Sequence, residues 1–224
     1  MKTQNSMSLG ARNSFAADRV QDARDWLRFA CGVSAMLAMS VLGLCGLPSA
    51  AEIVYTPVNI SIGVADTYNV DLNHDGVPDF TLRSNLLEDY CQFGDGYIWT
   101  LSVNPDNGNA VVVANGHVGS AYAAALQNGV AVNSEQSFYP NFSIMAQLSW
   151  GFCGTGTLGE WLNLPDRYLG VQFKGAANDT HYGWVKLSTV AYVDQWNVLH
   201  ARTLLTGVAY ETVVGQAILA GYTS

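Results

Sequence analysis

The sequence predicts an all-β fold, an antiparallel β-sandwich or jelly-roll-like domain with one short helix and an N-terminal signal helix. Three observations predict it. Period-2 stretches rich in β-branched and aromatic residues recur at short, regular spacing, with Asn, Asp and Gly between them. No strand–helix–strand alternation is present, which argues against a parallel α/β sheet. The composition is 49% hydrophobic and only 12% charged, with 22 Gly and 11 Tyr. That balance suits a turn-rich β domain and excludes a disordered acidic chain.

The first segment does not read as part of the domain. Residues 1 to 28 are polar and carry Lys2, Arg12, Arg19, Arg24 and Arg28 against Asp18, Asp22 and Asp25. Phe29 to Ala50 then holds no charged residue and ends in Pro48-Ser-Ala-Ala51. A basic region, an apolar run and a small-x-small end make a secretory signal. The expected cut follows Ala51, giving a signal peptide over 1–51 and a single β-sandwich domain over 52–224. The long polar region also fits a start at Met7 or an extended leader. The competing reading is a retained membrane anchor, because the apolar run is long enough to span ~30 Å of hydrocarbon. Neither Cys31 nor Cys45 stands in a lipobox. No second apolar span follows, so the cleaved chain is expected to be secreted and without a membrane span.

From residue 52 onward five basic residues face fifteen acidic ones, a net charge of -10, where the whole chain has -8. A nucleic-acid binder carries a basic patch for phosphates, so this balance argues against that class.

The expected strands follow in order. IVYTPVNISI (53–62) opens the domain. TYNVDL (67–72) and DFTLR (79–83) flank a turn. YIWTLSV (97–103), AVVVA (110–114), SIMAQLSW (143–150), YLGVQF (168–173), THYGWVKLSTV (180–190) and TLLTGVAYET (203–212) come after. SAYAAALQNG (120–129) alone reads as helix, stopped at Gly129. The clearest hairpin joins 168–173 to 180–190 through Lys174–Asp179. In its second strand His181, Gly183, Val185 and Leu187 share one face, and Tyr182, Trp184, Lys186 and Ser188 the other. The Tyr182 and Trp184 face is expected to cover a sheet edge or present a binding surface.

Two cysteines remain after the leader, Cys91 and Cys153, an even pair for an oxidising compartment. The expectation is a disulfide closing 62 residues, stabilising by ~4 kcal/mol in the chain-entropy model. Two free buried thiols are the alternative. Without a CxxC they make a poor zinc set.

The run from Asp71 to Phe80, DLNHDGVPDF, carries the most chemistry. Hard cations want several oxygens converging from one tight loop. Side chains at positions 1, 3, 5 and 9 are Asp71, Asn73, Asp75 and Asp79, and position 7 offers the Val77 carbonyl. Gly76 stands at position 6, where such a loop turns sharply. Position 12 is Leu82, so the bidentate Glu of an EF-hand is missing, and the flanks read as strands. The run resembles the strand–loop–strand calcium loops of FG-GAP repeats, D-x-[DN]-x-D-G-x-x-D-[FL]. On that reading Ca²⁺ is bound in a structural role. The alternative is a polar turn held by Asx hydrogen bonds with no ion.

A second resemblance lies further on. Arg167-Tyr-Leu-Gly-Val-Gln-Phe173, His181-Tyr-Gly-Trp-Val-Lys-Leu187, Ala209-Tyr-Glu-Thr212 and Gly215-Gln-Ala-Ile-Leu-Ala-Gly221 resemble the body of secreted bacterial PEP-CTERM-type proteins. The match spans about 67–221 and rests on structural residues. It implies an extracellular β-sandwich. The chain ends at Ala220-Gly-Tyr-Thr-Ser224 without the Pro-Glu-Pro motif, apolar span and basic tail of that family, so release is expected in place of sorting to the cell surface by that route.

Signals for an enzyme are weak. His74, His117, His181 and His200 form no HExxH, and there is no GxSxG elbow or Walker loop. A glycosidase pair would have to come from Glu88, Asp89, Glu135, Glu160 and Glu211, and nothing in the sequence sets two of them at a catalytic separation. The stretch GFCGTGTLGEW (151–161) has no following helix to offer phosphate an N-terminus, so its glycines are read as loop residues around Cys153. Trp99, Trp150, Trp161, Trp184 and Trp196 are available to stack on sugars, although aromatics usually fill β-sandwich cores. Only the loop Ala191–Asn197 is read as surface. The expected function is thus a secreted, calcium-stabilised β-sandwich with a binding or structural role, in matrix, at a surface or in glycan adhesion. The alternatives are a carbohydrate-active hydrolase, and a self-associating subunit of an extracellular filament that donates a strand near 52–62.

Overall fold

Alternation of buried and exposed residues every second position sets the architecture. In the computed structural model, residues 51–92, 94–114, 122–152 and 154–224 are described. Among the described residues there are thirteen strands: β1 (Ile53–Ile62), β2 (Thr67–Val70), β3 (Phe80–Cys91), β4 (Gly94–Pro105), β5 (Ala110–Val112), β6 (Ala131–Val132), β7 (Phe138–Tyr139), β8 (Ser143–Gly151), β9 (Gly156–Leu158), β10 (Arg167–Lys174), β11 (Thr180–Val193), β12 (Leu199–Glu211) and β13 (Ile218–Leu219). They belong to one unit, Ala50–Ser224. One sheet runs β1-β12-β11-β10-β5-β7, the other β2-β3-β4-β8-β9, and β13 pairs with β6. All paired strands are antiparallel. The all-β sandwich is therefore the fold.

The main core lies between the two large sheets. Trp99, Leu101, Val103 and Leu148 come from one sheet, and Val171, Val185, Leu187 and Leu205 from the other. Each alternates with outward residues, as the pleat requires. The hairpin β10–β11 has the expected register, with Gly170 opposite Trp184 and Phe173 opposite His181.

Three departures from the sequence reading have physical causes. The expected helix over 120–129 is absent where described. Ala123 N donates to Ile144 O, Ala124 N to Val112 O, and Leu126 exchanges both backbone bonds with Tyr168. These bonds to three strands win over the helix preference of an alanine run. Likewise, the Tyr182 and Trp184 face neither presents a binding surface nor covers an edge. It packs in a second core with Val112, Ala124, Val132, Tyr168, Ile218 and Ala220. The short pair β6–β13 and the chain before it supply that third layer, which two-residue strands do not announce in sequence. Finally, β3 and β4 run well beyond 79–83 and 97–103, pairing in register from Phe80–Pro105 to Cys91–Gly94. Polar residues such as Asn85, Glu88 and Asp89 hid this extension, because there both faces carry exposed positions.

Residues 1–50 of the signal segment, His117 and Cys153 lie outside the described residues. Among the described residues no helix is long and apolar enough to cross a membrane.

Candidate functional site

Two neighbourhoods bring chemistry together: the loop from Asp71 to Asp79, and the hairpin end where β11 turns into β12.

The first loop joins β2 to β3. His74 and Gly76 have φ of 59° and 86°, the left-handed region that glycine enters without strain. Asp71 closes the turn, with its Oδ1 accepting from His74 N at 2.7 Å and its Oδ2 from Gly76 N at 2.9 Å. Asp75 Oδ1 accepts from Val77 N at 2.8 Å, and its Oδ2 from Asn73 Nδ2 at 3.0 Å. Asn73 Oδ1 accepts from Asp75 N at 3.2 Å. Asp79 is the buried member, 6% exposed. Its Oδ2 accepts from Leu72 N at 2.8 Å and its Oδ1 from Asn109 Nδ2 at 3.1 Å.

Each of these six carboxylate oxygens thus accepts one of these bonds, and each can accept a second. None of the three ion pairs among the described residues involves Asp71, Asp75 or Asp79. Burial pushes the Asp79 carboxyl up to about 6, opposed by the bonds from Leu72 and Asn109 and aided by the charges of Asp71 and Asp75. The donor set is oxygen-only and anionic, the chemistry Ca²⁺ prefers. Among the described residues, no three His, Cys, Asp or Glu side chains are grouped closely enough to hold a metal by themselves. Asn73 and the Val77 carbonyl would have to complete any ion shell, with the carboxylates drawn inward. Val77 itself is half exposed, at 50%.

Asn109 is the residue that sequence reasoning missed. It bonds the Asp79 carboxylate and carbonyl through Nδ2, and its Oδ1 accepts from Lys174 N at 2.9 Å. Asp106 supports the same spot, its N donating to Asp79 O at 2.9 Å and its Oδ2 accepting from Thr81 Oγ1 at 2.8 Å. The only signal was the polar run Asn104–Asn109 between two strands, which also reads as an ordinary turn.

The second neighbourhood is the hairpin tip Asp194–Asn197. Asp194 Oδ1 accepts from Trp196 N and Val198 N, both at 2.9 Å. Asp194 N donates to Val198 O, and Asn197 N to Asp194 O, both at 3.0 Å. Asp194 Oδ2 lies 3.0 Å from His200 Nε2. That bond, together with the Val198 N–H, holds the Asp194 carboxyl below the usual carboxylate range. His200 stacks on Tyr192 across the ladder, with ring centroids 4.8 Å apart and planes 16° apart. The tip is built from its own bonds, yet it leaves Trp196 74% exposed. Trp99, Trp150, Trp161 and Trp184 are all buried.

Open clefts flank the tip. One of about 460 Å³ is lined by Trp150, Tyr192, Asn197, Asn163, Thr155 and Thr157, among others. A second of about 410 Å³ joins Asn197 to Asp95, Tyr97, Gly151 and Phe152. Tyr97 and Trp150 stack there, centroids 5.5 Å apart. Both volumes are in the range of small-ligand sites. In the glycine-rich stretch 151–161, read from sequence as a loop around Cys153, Gly156 belongs to β9 and Gly159 serves a close approach. A Cβ on Gly159, at φ 79°, would collide with the Met145 carbonyl.

The candidate carboxylates do not converge on these clefts. Glu211 is buried and accepts from Glu52 N and Val213 N. Glu160 accepts from Ala125 N, and Glu88 accepts from Tyr90. Neither they nor Asp89 or Glu135 line either cleft. The strand 52–62 is taken up by its own sheet, paired with β12 from Ile53–Glu211 to Ile62–Thr203.

No family model matches the chain, and no curated protein or solved structure matches it.

Proposed function

We propose that this is a secreted, calcium-stabilised β-sandwich that binds glycans through the end of the β11–β12 hairpin. The observation that carries the reading is Trp196, an indole held 74% exposed on a turn whose backbone is fixed by Asp194. Leaving so large an apolar ring in water costs free energy that a covering ligand recovers. The C–H face of a sugar ring fits such an indole, and Tyr192 of the same hairpin lines the cleft that reaches Asn197. Asn197, Asn163, Thr155 and Thr157 offer amides and hydroxyls for sugar hydroxyls nearby.

Calcium at Asp71, Asn73, Asp75, Val77 and Asp79 supplies stability in this reading, and its support is an oxygen-rich loop whose carboxylates take part in none of the ion pairs among the described residues. A Cys91–Cys153 disulfide has similar support. Cys91 ends β3 opposite Gly94, Phe152 N donates to Asp95 O at 3.0 Å, and the residue after Phe152 is Cys153. The PEP-CTERM-type resemblance agrees with an extracellular setting.

A glycan array probed with wild-type protein and with Trp196→Ala tests the reading. Binding by the wild type, lost by at least about tenfold in the variant at an unchanged melting temperature, is the expected result. No glycan bound, or equal binding by both proteins, refutes it.

A further inference from the structure

Glu211 is a carboxylate that the fold buries without a cationic side chain. It ends β12, is 2% exposed, and takes part in none of the three ion pairs among the described residues. Its Oε1 accepts from Val213 N at 3.0 Å and from Glu52 N at 3.2 Å. His181 meets its backbone carbonyl at 3.0 Å through Nδ1, while Nε2 lies 3.4 Å from Asp179.

The Glu52 nitrogen has a second meaning. The leader pattern in the sequence ends at Ala51, so Glu52 is the residue that cleavage would make the first of the chain. The structure fixes this nitrogen from both sides: Ile53 pairs with Glu211, and Glu52 O accepts from Thr212 N at 3.0 Å. Ala51 and Glu52 are exposed and precede the first strand, so the bond between them is open to a protease.

We infer that Ala51–Glu52 is a maturation site and that Glu211 is the buried receptor for the ammonium group its cleavage creates. The inference rests on the leader reading, and its failure leaves the calcium and glycan readings untouched. Hydrolysis by a signal-type peptidase consumes one water. The acyl carbon of Ala51 gains the hydroxyl oxygen and leaves as a carboxylate, and the Glu52 nitrogen takes up protons to become an ammonium. One amide donor at 3.2 Å is replaced, at the same place, by three donors with a full charge. A charge-assisted bond is shorter and about twice as strong as a neutral one. Cleavage would thereby close the β1–β12 edge with an ion pair that the uncut chain lacks.

The test uses the full chain, exported by a secretory host. Intact mass and N-terminal sequencing should show Glu52 as the first residue; any other first residue overturns the inference. The exported protein is then melted with its α-amino group free, acetylated or dimethylated, alongside Glu211→Gln. Acetylation, which removes the charge, should lower the wild-type melting temperature by about 3–6 °C, whereas dimethylation, which keeps it, should lower it much less. Acetylation should leave Glu211→Gln unmoved. Equal losses with both reagents, or equal losses in both proteins, overturn it. The two reagents on wild type decide the matter even if Glu211→Gln does not fold.

Discussion

The Nδ2 of Asn109 lies 3.1 Å from the Asp79 carboxylate and 3.1 Å from the Asp79 carbonyl, two contacts made by one buried amide. Through its Oδ1 the same side chain accepts from Lys174 N, so it ties the Asp71–Asp79 loop to β10 of the opposite sheet. Asn109→Ala removes all three bonds and leaves the buried groups unsatisfied, which should destabilise the fold by about 3 kcal/mol. Urea unfolding of the variant checks this. A change under ~0.5 kcal/mol would show that the clamp carries little.

Asp79 makes stability depend on pH in the chelated protein. Its carboxyl is pushed up to about 6 by burial, from 3.8. The folded state therefore holds its proton where the unfolded state has released it. By linkage, stability falls as pH rises from about 4 to about 6, by roughly 2 kcal/mol. Melts in EDTA across that window should show the decline, and Asp79→Asn should flatten it.

Calcium should reverse the cost at neutral pH. At 100 times its dissociation constant it adds ~2.7 kcal/mol. The melting temperature in Ca²⁺ should then exceed that in EDTA, and Asp75→Ala should abolish the difference. A wild type that melts alike in both sinks the ion reading and leaves a plain Asx turn.

Reducing a Cys91–Cys153 bridge should cost ~4 kcal/mol, since it would close a 62-residue loop. Melting with and without a reductant measures this. Two alkylatable thiols in the native protein would contradict the bridge.

The sequence carried the sandwich where local pattern and tertiary role agree. In β11, alternation alone separated Val185 and Leu187 from Tyr182 and Trp184, and the structure keeps them on opposite faces. It failed where partners lie far along the chain. Ala123 and Ala124 look helical until Ile144 and Val112 take their backbone bonds. Asn109 looks like a turn residue until its partners, 30 and 65 positions away, are known. Tyr182 and Trp184 looked free because their cover comes from β6 and β13, each too short to leave a pattern. The surface loop read over Ala191–Asn197 is narrower in the structure: Ala191–Val193 continue β11, with Ala191 in the main core, because this part of the strand pairs with β12. The turn is Asp194–Asn197, and Trp196 on it is exposed.

The account stands most directly on Trp196. It is the one indole among the described residues that water reaches freely, at 74% exposure, while the other four are 6% exposed or less. A fluorescence titration with glycans bound on the array, comparing wild type with Trp196→Phe, reports on that ring. The account predicts a saturable change in wild-type emission that is absent in the variant. An identical change in both proteins, or none in the wild type while binding persists, would contradict a binding site at this hairpin.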